Sequence, residues 1–127
     1  MNAGVRRDEQ EPPVTDAGRL LVEVERALAT GDRPRAAQAW NAAYAAAVGS
    51  RRWEPMIAVG DAALRLDLAA DAPGGYRAAA RQVYLSALVR VRILRSADGL
   101  RRIADAFVRM GDVEMSRRVR RVTQHLS

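Results

Sequence analysis

From residue 16 to residue 126 the apolar residues recur at three- and four-residue spacing, and no stretch alternates apolar and polar with a period of two. One face of a helix has the first pattern and a half-buried strand has the second, so the chain is committed to helices. The pattern is interrupted five times by helix-ending or helix-starting residues. The expected architecture is therefore all-α, with six helices in three antiparallel pairs.

The first helix is expected from Thr15 or Asp16, either of which can accept a free backbone N–H. Its buried stripe would be Ala17, Leu20, Leu21, Val24, Ala27 and Leu28. Gly31-Asp32 stops it, since glycine takes the left-handed conformation that closes a helix. The second helix opens with Pro34, where a missing N–H costs nothing, buries Ala36, Ala37, Trp40, Ala43, Tyr44 and Ala47, and ends at Gly49-Ser50. The third runs from about Arg52 to Leu68, with Pro55 in its first turn and Trp53, Met56, Ile57, Gly60, Ala63 and Leu64 inward. A loop follows over Ala69 to Gly75. The fourth, about Tyr76 to Arg95, has one strip of Ala80, Val83, Ala87, Val91 and Leu94 and another of Leu85 and Val89, which predicts a central helix between two neighbours. Ser96 to Gly99 supplies a cap and a turn. The fifth, about Asp98 to Met110, buries Leu100, Ile103, Ala104 and Phe107 and stops at a second Gly-Asp, Gly111-Asp112. The sixth, about Val113 to Leu126, buries Met115, Val119, Val122 and Leu126. Residues 1–14 are polar, carry Pro12-Pro13 and read as a disordered tail, which leaves 15–127 as one helical domain.

Charge narrows the class of partner. All 21 basic residues are arginine, which reads as a GC-rich, bacterial coding background. Residues 1–75 hold 9 arginines against 11 acidic residues, a net of −2, whereas residues 76–127 hold 12 against 4, a net of +8. An acidic partner is expected for the C-terminal half. There is no cysteine, so disulfides and thiolate metal sites are excluded, and a cytoplasmic location is expected. No run of apolar residues reaches the ~20 needed to span a bilayer. The single histidine, His125, has no second ligand near it in sequence, no glycine-rich loop follows a strand, and the carboxylates occur singly on polar faces. A non-catalytic protein without metal or cofactor is expected.

Gly31-Asp32-Arg33-Pro34-Arg35-Ala36, followed by Trp40 and Ala43, resembles the tetratricopeptide repeat: a Gly-Asp turn, then small, large aromatic and small residues at fixed offsets. Leu100, Ile103, Ala104 and Phe107 before Gly111-Asp112 resemble the same repeat's first helix and turn, and Trp53 and Met56 suggest a middle copy. The sequence departs from that pattern in its long middle turn, in Ser116 for the small alanine and in Arg120 for the large aromatic. The resemblance implies a right-handed stack whose first helices line a concave groove that takes segments of partner proteins, the role of an adaptor or scaffold. Carried over by turn position, the groove residues would be Leu21, Glu25 and Leu28, then Arg51 and Glu54, then Arg101, Asp105, Val108 and Arg109. Arg101 and Arg109 could hold a partner carboxylate by paired N–H bonds, or form exposed ion pairs with the intervening Asp105.

Two alternatives come from the residues themselves. Arg77, Arg81, Arg92 and Arg95 share one side of the fourth helix, and Arg117, Arg118, Arg120 and Arg121 crowd the sixth; together they could neutralise phosphates of a nucleic acid. The first helix, with Leu20, Leu21, Val22, Val24 and Leu28, carries more apolar surface than one face needs, so a homodimer through the N-terminal pair is the other alternative.

Overall fold

The computed structural model describes residues 16–70 and 74–126. The expected tail at 1–14, residues 71–73 of the long loop and the side chain of Leu126 lie outside what is described. Six helices follow one another: α1 (Asp16–Ala29), α2 (Arg33–Ser50), α3 (Trp53–Ala69), α4 (Gly75–Leu94), α5 (Ala97–Arg109) and α6 (Val113–Leu126). The described residues contain no strand.

The two Gly-Asp turns are built alike, bond for bond. Gly31 and Gly111 take φ of 76° and 87°, a region that L side chains enter only at a cost. The next residue's N–H reaches back across the turn, Asp32 to Ala27 O and Asp112 to Phe107 O, both at 2.8 Å. Each aspartate side chain then caps the following helix, accepting from Arg35 N and from Met115 N at 3.1 Å. The second helices α2 and α4 end where the sequence places them, each on a left-handed arginine rather than a glycine. α2 continues through Gly49 and Ser50, and the left-handed residue is Arg51 (φ 63°); α4 closes likewise on Arg95 (φ 55°). The long connection after α3 has a cap of its own: Asp67 accepts from Gly74 N at 2.7 Å and from Arg77 N at 3.2 Å. Ser96 caps α5 by accepting from Gly99 N.

Packing follows a simple order. Each helix packs on its hairpin partner, α1 on α2, α3 on α4, α5 on α6. The second helix of one pair touches the first helix of the next, and the first helices α1, α3 and α5 touch in succession. The backbones of α2, α4 and α6 stay apart. The core is one cluster that runs through all three pairs, from Ala17 and Val24 to Phe107 and Val119. Between the first and second pairs Trp40 stacks on Tyr44, meets Tyr76 edge-on at 5.7 Å, and donates Nε1–H to Val59 O at 2.9 Å. Such aromatic pairs contribute about 0.5–1.5 kcal/mol beyond area burial.

The central element is α3, not α4. α3 touches α1, α2, α4 and α5, and nine of its residues are buried; α4 touches only α3 and α5. The second apolar strip of α4 therefore has no helix over it: Leu85 is half-buried and Val89 is 58% exposed. Leu94, assigned to the core strip, is 63% exposed because the chain leaves α4 at the next residue. Tyr44 is likewise on the rim of the core, exposed on one side. Among the buried residues that periodicity left out, with Val59, Leu66 and Met110, is Tyr84, the largest fully buried side chain. It fits because α3 has no side chain at Gly60, where a Cβ would overlap Cε1 and Cδ1 of the Tyr84 ring, the latter at 2.8 Å.

Candidate functional site

Two surfaces carry charge and exposed apolar side chains together. The first is the face made by α1, α3 and α5. Glu25 of α1 accepts from Arg65 of α3 at 2.5 Å. One helical turn earlier on α3, Asp61 accepts from Arg109 of α5 at 2.8 Å and from the Tyr84 hydroxyl at 2.5 Å. Burial pushes the Tyr84 phenol well above its usual range, and the bond to Asp61 pushes it further. Burial works against the charge of Arg109, but the hydrogen bond and charge of Asp61, together with Tyr84, outweigh it and raise the guanidinium.

On this face the two arginines of the expected clamp have different partners within the chain. Arg109 is held by Asp61, Arg101 pairs with Asp98 at 3.3 Å, and Asp105 pairs with Arg120 of α6 at 3.0 Å. The expected alternative, both arginines paired with Asp105, is not the arrangement. Leu21 and Leu28 are half-buried against the core, and Glu25 belongs to the Arg65 pair. Glu54 pairs with Arg52 at 3.2 Å, and Arg51 sits in the α2–α3 turn. Val108 is exposed, as is Leu68 at 88%. Asp61, Arg65 and Leu68 were not among the expected residues. Their spacing on α3 puts them on one side of the helix, but the irregular middle turn hid which side that was.

The second surface belongs to the second helices. Between α2 and α4 the space is bridged by Arg90, whose guanidinium donates to Ala47 O (3.1 Å), Val48 O (3.0 Å) and Arg52 O (2.8 Å). Between α4 and α6 lies a hollow of about 250 Å³ lined by Arg92, Arg95, Leu100, Val122 and His125. Arg92 also borders a neighbouring hollow with Val89 and Ile93, the latter 75% exposed.

The expected basic patch divides into spent and free arginines. Arg81 lies over the Phe107 ring and pairs with Asp112, Arg120 pairs with Asp105, and Arg118 reaches Glu114 at 3.8 Å. Arg77 lies against the Gly111 turn. Arg92, Arg95, Arg117 and Arg121 have no carboxylate partner among the described residues. Among those residues no three His, Asp or Glu side chains are placed to hold a metal ion. Among the described residues no helix is long and apolar enough to cross a membrane. Comparison with known protein families, with characterised proteins and with solved structures finds no match.

Proposed function

We propose that this chain is a non-catalytic interaction module, a tetratricopeptide-like adaptor that takes an acidic segment of another protein. The observation that carries this reading is the separation of satisfied from unsatisfied charge. Arg65, Arg101 and Arg109 on the α1–α3–α5 face are neutralised by carboxylates of the chain itself, whereas Arg92 and Arg95 at the end of α4 and Arg117 and Arg121 of α6 have no carboxylate partner among the described residues. Part of the +8 balance of the C-terminal half is engaged within the chain, by Arg109 with Asp61 and by Arg90 with backbone carbonyls, and the four unpaired arginines are the part left as binding charge. The nearest-neighbour order of packing supports the repeat assignment, because each pair leans only on the next.

Capture of lysate proteins on the immobilised full chain, with nuclease and at two salt concentrations, tests the reading. The expected result is a protein that carries an acidic segment, survives nuclease and elutes as salt rises. Recovery of nucleic acid alone would replace this function with phosphate binding, the reading in which the same arginines act without a protein partner.

A further inference from the structure

The open space between α4 and α6 differs from its counterpart between α2 and α4. There, Arg90 closes the gap with three hydrogen bonds to backbone carbonyls. Here nothing of that kind occupies the gap, and the side chains on its walls are of two sorts. Arg92, Arg95 and His125 offer N–H donors, and Leu100 and Val122 form an apolar floor. Beyond Arg92 the surface continues as a second hollow of about 350 Å³, again mostly apolar, on Val89 and Ile93. Arg121 and Arg117 continue the positive charge along α6 at successive turns before His125.

From this we infer that the α4–α6 cleft is the seat of the acidic segment, and that the segment is an amphipathic helix. The inference rests on the interaction-module reading above. A hollow of about 250 Å³ has room for side chains and not for a backbone, so the segment lies along the rim. Its apolar side chains enter the two hollows, on Leu100 and Val122 in one and on Val89 and Ile93 in the other. Its carboxylates meet Arg92, Arg95 and His125 between and beside them. Charge complementarity selects the occupant: the rim presents unpaired arginines and no carboxylate lines either hollow. No Phe, Tyr or Trp lines either hollow, and the His125 imidazole is the one ring among the lining residues, so single-stranded nucleic acid would find phosphate contacts and no row of rings on which successive bases could stack. The apolar hollows would remain empty under such a ligand.

The full chain is titrated with four probes by fluorescence anisotropy or co-sedimentation. These are a labelled acidic peptide with leucines at i, i+3, i+4 and i+7, a scramble of it without an apolar face, oligothymidylate, and vesicles of phosphatidylserine and phosphatidylcholine. The amphipathic peptide is expected to bind at least about tenfold tighter than its scramble. Arg92→Glu/Arg95→Gly should weaken it by about tenfold or more. Glycine suits the left-handed backbone at position 95, so this variant keeps its fold. Ile93→Ser, at an exposed position, should weaken it by about threefold to tenfold through the apolar contact alone. A control with the same change of charge at exposed positions of α1, Arg19→Glu/Arg26→Ala, should bind as the parent does. Equal binding of peptide and scramble, tighter binding of oligothymidylate or vesicles, or indifference to both cleft variants would each overturn the assignment. The lysate capture separates the two levels. If an acidic protein is retained equally by parent and Arg92→Glu/Arg95→Gly, the module stands and the seat is wrong; if the parent retains none, the module reading itself fails.

Discussion

Gly60 and Tyr84 face each other across α3 and α4, and each makes the other possible. Gly60→Ala places a methyl group inside the ring's contact distance and, with the ring fully buried, has no soft neighbour to displace. An overpacking loss of about 1–3 kcal/mol is expected, read as a lower urea midpoint with an unchanged slope. The ring's hydroxyl carries a separate consequence. The folded chain holds the Tyr84 proton more tightly than the unfolded chain, whose phenol gives it up near pH 10. The stability from this difference is complete below about pH 10 and is lost as pH rises past that value. Urea titrations at about pH 8 and pH 11 are expected to show a larger alkaline loss for the parent than for Tyr84→Phe. The Phe variant gives up the Asp61 bond, and should be weaker by about 1 kcal/mol at the lower pH.

At the scale of helices, what could be read from sequence was what is decided locally. Both Gly-Asp turns, the Ser96 cap and the placement of Pro55 in the first turn of α3 depend on residues within one turn of each other, and they form as expected. What depends on distant partners was not legible. Asp61 and Arg109 are 48 positions apart, and nothing near either one marks the pair. The two apolar strips of α4 were a true property of the helix, but periodicity does not say whether a neighbour covers the second. Among the C-terminal arginines the surplus was plain from composition, while the division into paired and unpaired members required the fold. Arg90 shows the same limit: its partners are backbone carbonyls of another pair, which no side-chain pattern encodes. Arg90→Ala should cost about 1–3 kcal/mol and speed hydrogen exchange at the C-terminal end of α2, measured by mass spectrometry.

Across the whole molecule the third pair repeats the first with one change at its outer surface. Trp40 of α2 packs on the next pair, while Arg120, at the matching place after the second Gly-Asp turn, turns to Asp105. Asp105 in turn matches Glu25, which in the first pair reaches forward to Arg65. The last pair thus satisfies within itself the contacts that the first pair makes with its successor, which is how a stack ends without an apolar face. Arg120→Trp is expected to remove that ending and cause concentration-dependent end-to-end association, seen by light scattering after size exclusion. A variant that stays monodisperse across about a hundredfold range of concentration would show that charge at this position is not what terminates the stack.

Because adjoining pairs meet along α1, α3 and α5 and not along α2, α4 and α6, the molecule has unequal stiffness on its two sides. Bending pivots on the first-helix row, where side chains are already in contact, and is taken up as a change of spacing in the second-helix row. Arg90 latches one of those spacings and leaves the other unlatched. Bending is therefore expected to meet less resistance at the C-terminal joint, where the width of the opening would follow from how far the stack is curled.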